Sequence, residues 1–133
     1  MISFKTISSF RYRLTRLLKV KRNVYSGISE ETKKEFYNKP INEIRQNNDM
    51  ILISNELIVI KLRLPDKKLH ISKRDGFRLI YLVSQVDDLV VFLDVYPKNG
   101  PLQQLDIDDK EVKRLIEEFI TEGKAGILEE YVF

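Results

Sequence analysis

Alternation along residues 57–64 sends Ile58, Ile60, Leu62 and Leu64 to one side of a predicted strand and leaves Lys61 and Arg63 with Val59 on the other. In the next apolar stretch Phe77, Leu79, Tyr81 and Val83 oppose Arg78, Ile80 and Leu82. In the one after it Val91, Leu93 and Val95 oppose Phe92, Asp94 and Tyr96. If Arg78 and Tyr96 share the face of Lys61 and Arg63, the sheet presents a basic cleft with an aromatic wall. Lysine and arginine in such a cleft can hold a phosphodiester and stabilise the charge that grows in its transition state. A tyrosine or lysine of lowered pKa could serve as base on a ribose 2′-hydroxyl. Each residue also has a plainer reading: Arg78 pairing with Asp94, Lys61 and Arg63 as solvated strand residues, Tyr96 as packing, and the single histidine, His70, as a surface residue.

The elements that must position these side chains are legible from periodicity. Phe10, Leu14, Leu17 and Leu18 recur at helical spacing, predicting a helix from Ser8 to about Lys21 with Ser8 or Ser9 as cap and a basic outer face. A second helix is expected from Ser29, with Glu30 and Glu31 at its positive end, interrupted near Pro40 and closing through Ile44. These two would form a hairpin. A short strand at residues 2–5 is expected to precede them. Residues 51–53, 57–64, 77–84 and 89–96 read as three or four antiparallel strands, with Val86-Asp87-Asp88 as a hairpin turn and a long cationic loop between Pro65 and Gly76. Asp108 and Glu111 match the start of a last helix, Val112, Leu115, Ile116, Phe119 and Ile120 form its stripe, and Gly123 suits its stop.

The predicted fold is therefore α+β: an N-terminal helical hairpin on a curved, three- to four-stranded antiparallel sheet, with a C-terminal helix. With 133 residues, 43% of them hydrophobic, the chain should form one domain over 1–133, with 124–133 as an extension that docks back. The absence of cysteine excludes disulfides, thiolate catalysis and cysteine-ligated zinc, and no carboxylate cluster has convincing metal spacing. No apolar run approaches the roughly 20 residues of a membrane span, and the opening residues lack a secretory pattern, so a soluble, cytoplasmic protein is expected. The net charge of +3 is unevenly spread. Residues 1–25 carry Lys5, Arg11, Arg13, Arg16, Lys19, Lys21 and Arg22 with no acid, whereas acids predominate from Asp106 onward. A basic face for a polyanion, and an acidic segment elsewhere, follow from that polarity.

Four stretches carry a family resemblance: Ile60-Lys-Leu-Arg-Leu-Pro65, Lys73-Arg-Asp-Gly-Phe-Arg-Leu-Ile-Tyr81, Val90-Val-Phe-Leu-Asp-Val-Tyr-Pro-Lys98 and Asp106-Ile-Asp-Asp-Lys-Glu111. Their order resembles the RelE/ParE toxin superfamily of type II toxin-antitoxin systems, above all its RelE-like and HigB-like branches, and Phe4-Lys-Thr-Ile-Ser-Ser-Phe10 resembles that family's opening. The resemblance implies a bacterial growth inhibitor, a cognate antitoxin partner, and an endoribonuclease that cuts messenger RNA, on the ribosome in many members, without metal or other cofactor. By position it makes Arg78 the phosphate clamp, adds Lys61, Arg63 and Tyr96 to the catalytic set, and gives Lys73 and Lys98 to RNA binding; Arg74, Lys67 and Lys68 of the cationic loop are the further candidates for RNA binding. The sequence departs from the family after the last strand, where Asn99-Gly-Pro-Leu-Gln-Gln104 supplies no further arginine, histidine or tyrosine, leaving the general acid or base unassigned. A catalytically silent binding module and a ParE-like inhibitor of DNA gyrase are the alternative functions. The acidic last helix could fold over the cleft.

Overall fold

A computed structural model describes residues 1–46, 50–53 and 56–133. Its described elements are β1 (Ser3–Thr6), α1 (Ser8–Leu18), α2 (Ile28–Phe36), α3 (Ile41–Ile44), β2 (Met50–Ile53), β3 (Leu57–Leu64), β4 (Phe77–Ser84), β5 (Leu89–Pro97), α4 (Asp109–Ala125) and β6 (Glu129–Glu130). The fold is α+β. The sheet differs from the expected three or four antiparallel strands: among the described residues it has six, in the order β2-β3-β4-β5-β1-β6, and is mixed because β1 lies parallel to β5. The meander β2 to β5 is antiparallel throughout. Between β1 and β2 the chain runs through all three N-terminal helices and reaches the opposite edge, which is what permits the parallel pairing.

The expected helical hairpin is not matched. After Leu18 the chain makes a turn containing two non-glycine residues at positive φ, Arg22 and Asn23, and α2 begins only at Ile28. Helix α1 packs on β5. Its start is also capped differently from the expectation, because neither serine caps it through its own hydroxyl. Instead the Ser8 N–H donates to Glu122 Oε1 (3.0 Å) and the Ser9 N–H to Glu118 Oε2 (2.8 Å), two carboxylates from α4 placed at the positive end of α1. Helix α4 begins as expected, with Asp108 accepting from the Glu111 N–H at 2.8 Å. It runs past Gly123 and stops where Gly126 adopts a left-handed conformation (φ 71°). The supposed extension from residue 124 is thus the end of α4 followed by β6, which pairs with β1 at the sheet edge.

Every residue of β4 is buried, so both faces of the sheet centre are covered. On one face Ile58, Ile60, Leu62, Leu64, Phe77, Leu79 and Tyr81 form the main core with Phe36, whose ring meets Tyr81 edge-on at 4.9 Å. Phe92 lies at the centre of this aromatic cluster, within 6.4 Å of Phe4, Phe10, Phe36, Tyr131 and Phe133 ring centroids. That position corrects the simple alternation assigned to the last long strand. A bulge between the Ile80–Asp94 and Tyr81–Phe92 pairs shifts the register by one residue, so Phe92 shares the core face with Tyr81 instead of the face of Asp94 and Tyr96.

The entry to β4 is fixed by contact between backbones. A Cβ at Gly76 would lie 2.1 Å from Leu64 O and 3.0 Å from Pro65 Cα, both in the adjoining strand end. No side chain can move aside to relieve that clash, so Gly76→Ala must pry β4 from β3. We expect it to lower unfolding free energy by about 1–3 kcal/mol, read by denaturant titration. An unchanged midpoint would contradict the close approach.

Candidate phosphate-binding site

The register brings four of the sequence-predicted residues onto one face. Arg63 on β3 stands opposite Arg78 on β4, and Arg78 stands opposite Tyr96 on β5, so the three form one row across the sheet. Lys61 belongs to the adjacent row, Lys61–Ile80–Asp94. The basic cleft with an aromatic wall therefore exists as a spatial arrangement, but it is not open. The Ile107 N–H, just before α4, donates to the buried Tyr96 hydroxyl at 3.2 Å, and Asp106 beside it reaches Lys61 (4.0 Å) and Lys98 (3.3 Å).

Arg78 is 5% exposed, and its guanidinium is turned toward backbone. Nη1 donates to the carbonyls of Lys73 (2.8 Å) and Phe77 (3.2 Å), and Nη2 to that of Arg74 (2.8 Å). The arginine thus gathers the carbonyls of the cationic turn at 73–76, leaving the side chains of Lys73 and Arg74 exposed at its rim. The same turn is tied to the end of β5: the Lys98 N–H donates to Gly76 O (2.8 Å), and Asn99 Nδ2 to Asp75 O (2.6 Å). The Asp94 carboxylate, the partner expected for Arg78, lies 3.8 Å from Arg13 Nη2.

Tyr96 is held in the neutral form. Burial pushes its phenol above the ordinary value, only partly offset by the Ile107 N–H. That direction is opposite to the one a base requires. Asp94, close beneath α4, is 4% exposed, and burial pushes its carboxyl up to about 6 against the pull of Arg13 and of the Val95 N–H. For Asp106 partial burial raises the carboxyl, but the Lys98 hydrogen bond and the charges of Lys61, Lys98 and Arg78 outweigh it, and the group lies below its usual range.

Lys67 and Lys68 belong to a separate part of the surface. They sit on a short 3-10 turn after β3, where Lys68 Nζ donates to Ser26 Oγ (2.7 Å) near the start of α2. His70 ends that turn, exposed and left-handed (φ 57°). Sequence reasoning passed over three contributors. Tyr25 is buried, donates to Asn99 O (2.8 Å) and accepts from the Leu102 N–H (2.9 Å), anchoring the loop after β5. Asp106 is drawn into the cationic group, and Arg13 reaches it from α1 through Asp94. A basic helix face and an acidic segment were visible as charge, but nothing in their spacing indicated that they would meet over the same strand.

No family model, curated protein or solved structure matches the chain. Among the described residues no group of histidine, cysteine or carboxylate side chains could hold a metal ion, and no helix is long and apolar enough to cross a membrane.

Proposed function

We propose that the chain is a RelE-type toxin domain acting on RNA through the face that carries Lys61, Arg63, Arg78, Tyr96 and Lys98. The observation that supports this most is the continuous row Arg63–Arg78–Tyr96, with Lys61 one row away and Lys98 at the end of the adjoining strand. Lys61, Arg63 and Lys98 would hold a phosphodiester beside the rim formed by Lys73 and Arg74. Attack of a ribose 2′-oxygen on phosphorus, its proton passing to solvent water, expels the 5′-oxygen, which takes a proton from the neutral Tyr96 phenol that solvent then reprotonates, and leaves a 2′,3′-cyclic phosphate, with cations stabilising the added charge. Arg78 would act mainly by holding the cationic turn. A bacterial cytosol and a protein antitoxin complete the reading.

A second reading, a catalytically silent binding module, is favoured by one observation: the Arg78 nitrogens Nη1 and Nη2 are engaged by carbonyls instead of facing an open cleft. Induced expression in a bacterial host separates the two. Growth arrest by the native chain, relieved in a Lys61→Ala/Arg63→Ala variant of equal soluble level, is the expected result. If neither chain arrests growth while both accumulate folded, the toxin reading fails. Arrest accompanied by inhibited supercoiling, with RNA intact, would point instead to gyrase.

A further inference from the structure

Lys61 rises from the middle of β3 and Lys98 follows the end of β5, with β4 between them, yet their ammonium groups converge on one atom. Asp106 Oδ1 accepts from Lys98 Nζ at 3.3 Å and lies 4.0 Å from Lys61 Nζ. The lysine stems are largely enclosed, with side chains 22% and 21% exposed, whereas the Asp106 side chain is 56% exposed. Packed stems aim the two heads at a common point, and the carboxylate at that point comes from a loop accessible to solvent. An exposed ion pair of this kind contributes little to folding. It does, however, neutralise the two cations that are best placed for an anion.

A carboxylate oxygen bridging two ammonium groups occupies the place a non-bridging phosphate oxygen would take. Resting on the RNA reading above, we propose that the point between Lys61 and Lys98 is a phosphodiester subsite and that Asp106 fills it in the resting chain. RNA binding then requires the 98–108 loop to give up Asp106. The exchange replaces a singly charged carboxylate by a phosphate of the same charge, so neutral asparagine at 106 should bind RNA more tightly than the native residue does.

The test compares the native chain, Asp106→Asn and Glu117→Gln, the last removing the same charge from an exposed position on α4. Two probes are titrated, a fluorescein-labelled single-stranded RNA and inorganic pyrophosphate. We expect Asp106→Asn to bind RNA about tenfold more tightly at low ionic strength, with a steeper loss of affinity as salt rises, and Glu117→Gln to differ by less than about twofold. A gain for pyrophosphate alone, with no chain binding RNA, would keep the subsite and remove the RNA reading. Equal affinity of native chain and Asp106→Asn for both probes overturns the subsite even if RNA binds. A gain of the same size in Glu117→Gln overturns it as well, since that would be a general charge effect.

Discussion

Arg78→Ala is expected to lower RNA cleavage by about 10²-fold and unfolding free energy by about 3–5 kcal/mol together. The two losses share a cause. The guanidinium satisfies the carbonyls of Lys73, Arg74 and Phe77 while itself only 5% exposed, so its removal leaves acceptors unpaired inside the turn that carries Lys73 and Arg74. Truncation also opens a space beneath that turn in a strand whose every residue is buried. Arg78→Lys is the informative companion. It keeps the positive charge, but an ammonium lacks the planar fork that spans the Lys73 and Arg74 carbonyls, so it should recover little of either loss. Denaturant titration and a cleavage assay on the same preparations check both. Full stability with lost cleavage in Arg78→Ala would mean the residue meets substrate directly and does not organise the turn.

Asp94 gives the second large effect, and it is a dependence on pH. Burial raises its carboxyl from 3.8 to about 6 in the folded chain. Between those values the folded chain binds more protons than the unfolded one, so this group contributes stability below about pH 4 that is lost as pH rises through about 6. The full difference corresponds to about 3 kcal/mol. Asp94→Asn cannot ionise, and relative to the native chain it should gain up to about 3 kcal/mol between pH 4 and pH 7. The pull of Arg13 is already contained in that raised value, so the loss of its charged partner adds no separate cost. Asp106 and Glu118, held below their usual range, act in the opposite sense and are lost as pH falls; they cancel in the difference between the two chains. Unfolding measured across this range for both proteins gives the difference curve directly. A flat curve would show that Asp94 is solvated.

Much of the site was readable before the fold, because a strand's period of two is a strong constraint. Alternation alone puts Lys61 and Arg63 on one face, and Arg78 and Tyr96 join them because β3, β4 and β5 pair in succession as an antiparallel meander. Alternation failed at Phe92, where one extra residue in β5 reverses the faces beyond it; a bulge has no periodic signature. The start and apolar stripe of α4 followed from Asp108, Val112 and Leu115, while its stop moved from Gly123 to Gly126 because only the latter takes the left-handed conformation. What local pattern could not supply was the set of contacts between distant segments. The carboxylates of Glu118 and Glu122 capping α1, the parallel pairing of β1 with β5, and the edge strand β6 all depend on which ends of the chain meet. The same limit hid Asp106. Eight residues separate it from Lys98, but its approach to Lys61 is set by the sheet between them and by the loop that Tyr25 anchors.

The most direct test of the central claim is cleavage by purified protein, with and without ribosomes, in the presence of a metal chelator, followed by analysis of the new RNA ends. Fragments ending in 2′,3′-cyclic phosphate are expected, in amounts that fall with Lys61→Ala/Arg63→Ala and rise with Asp106→Asn. Intact RNA under both conditions, from protein shown to be folded, would contradict it.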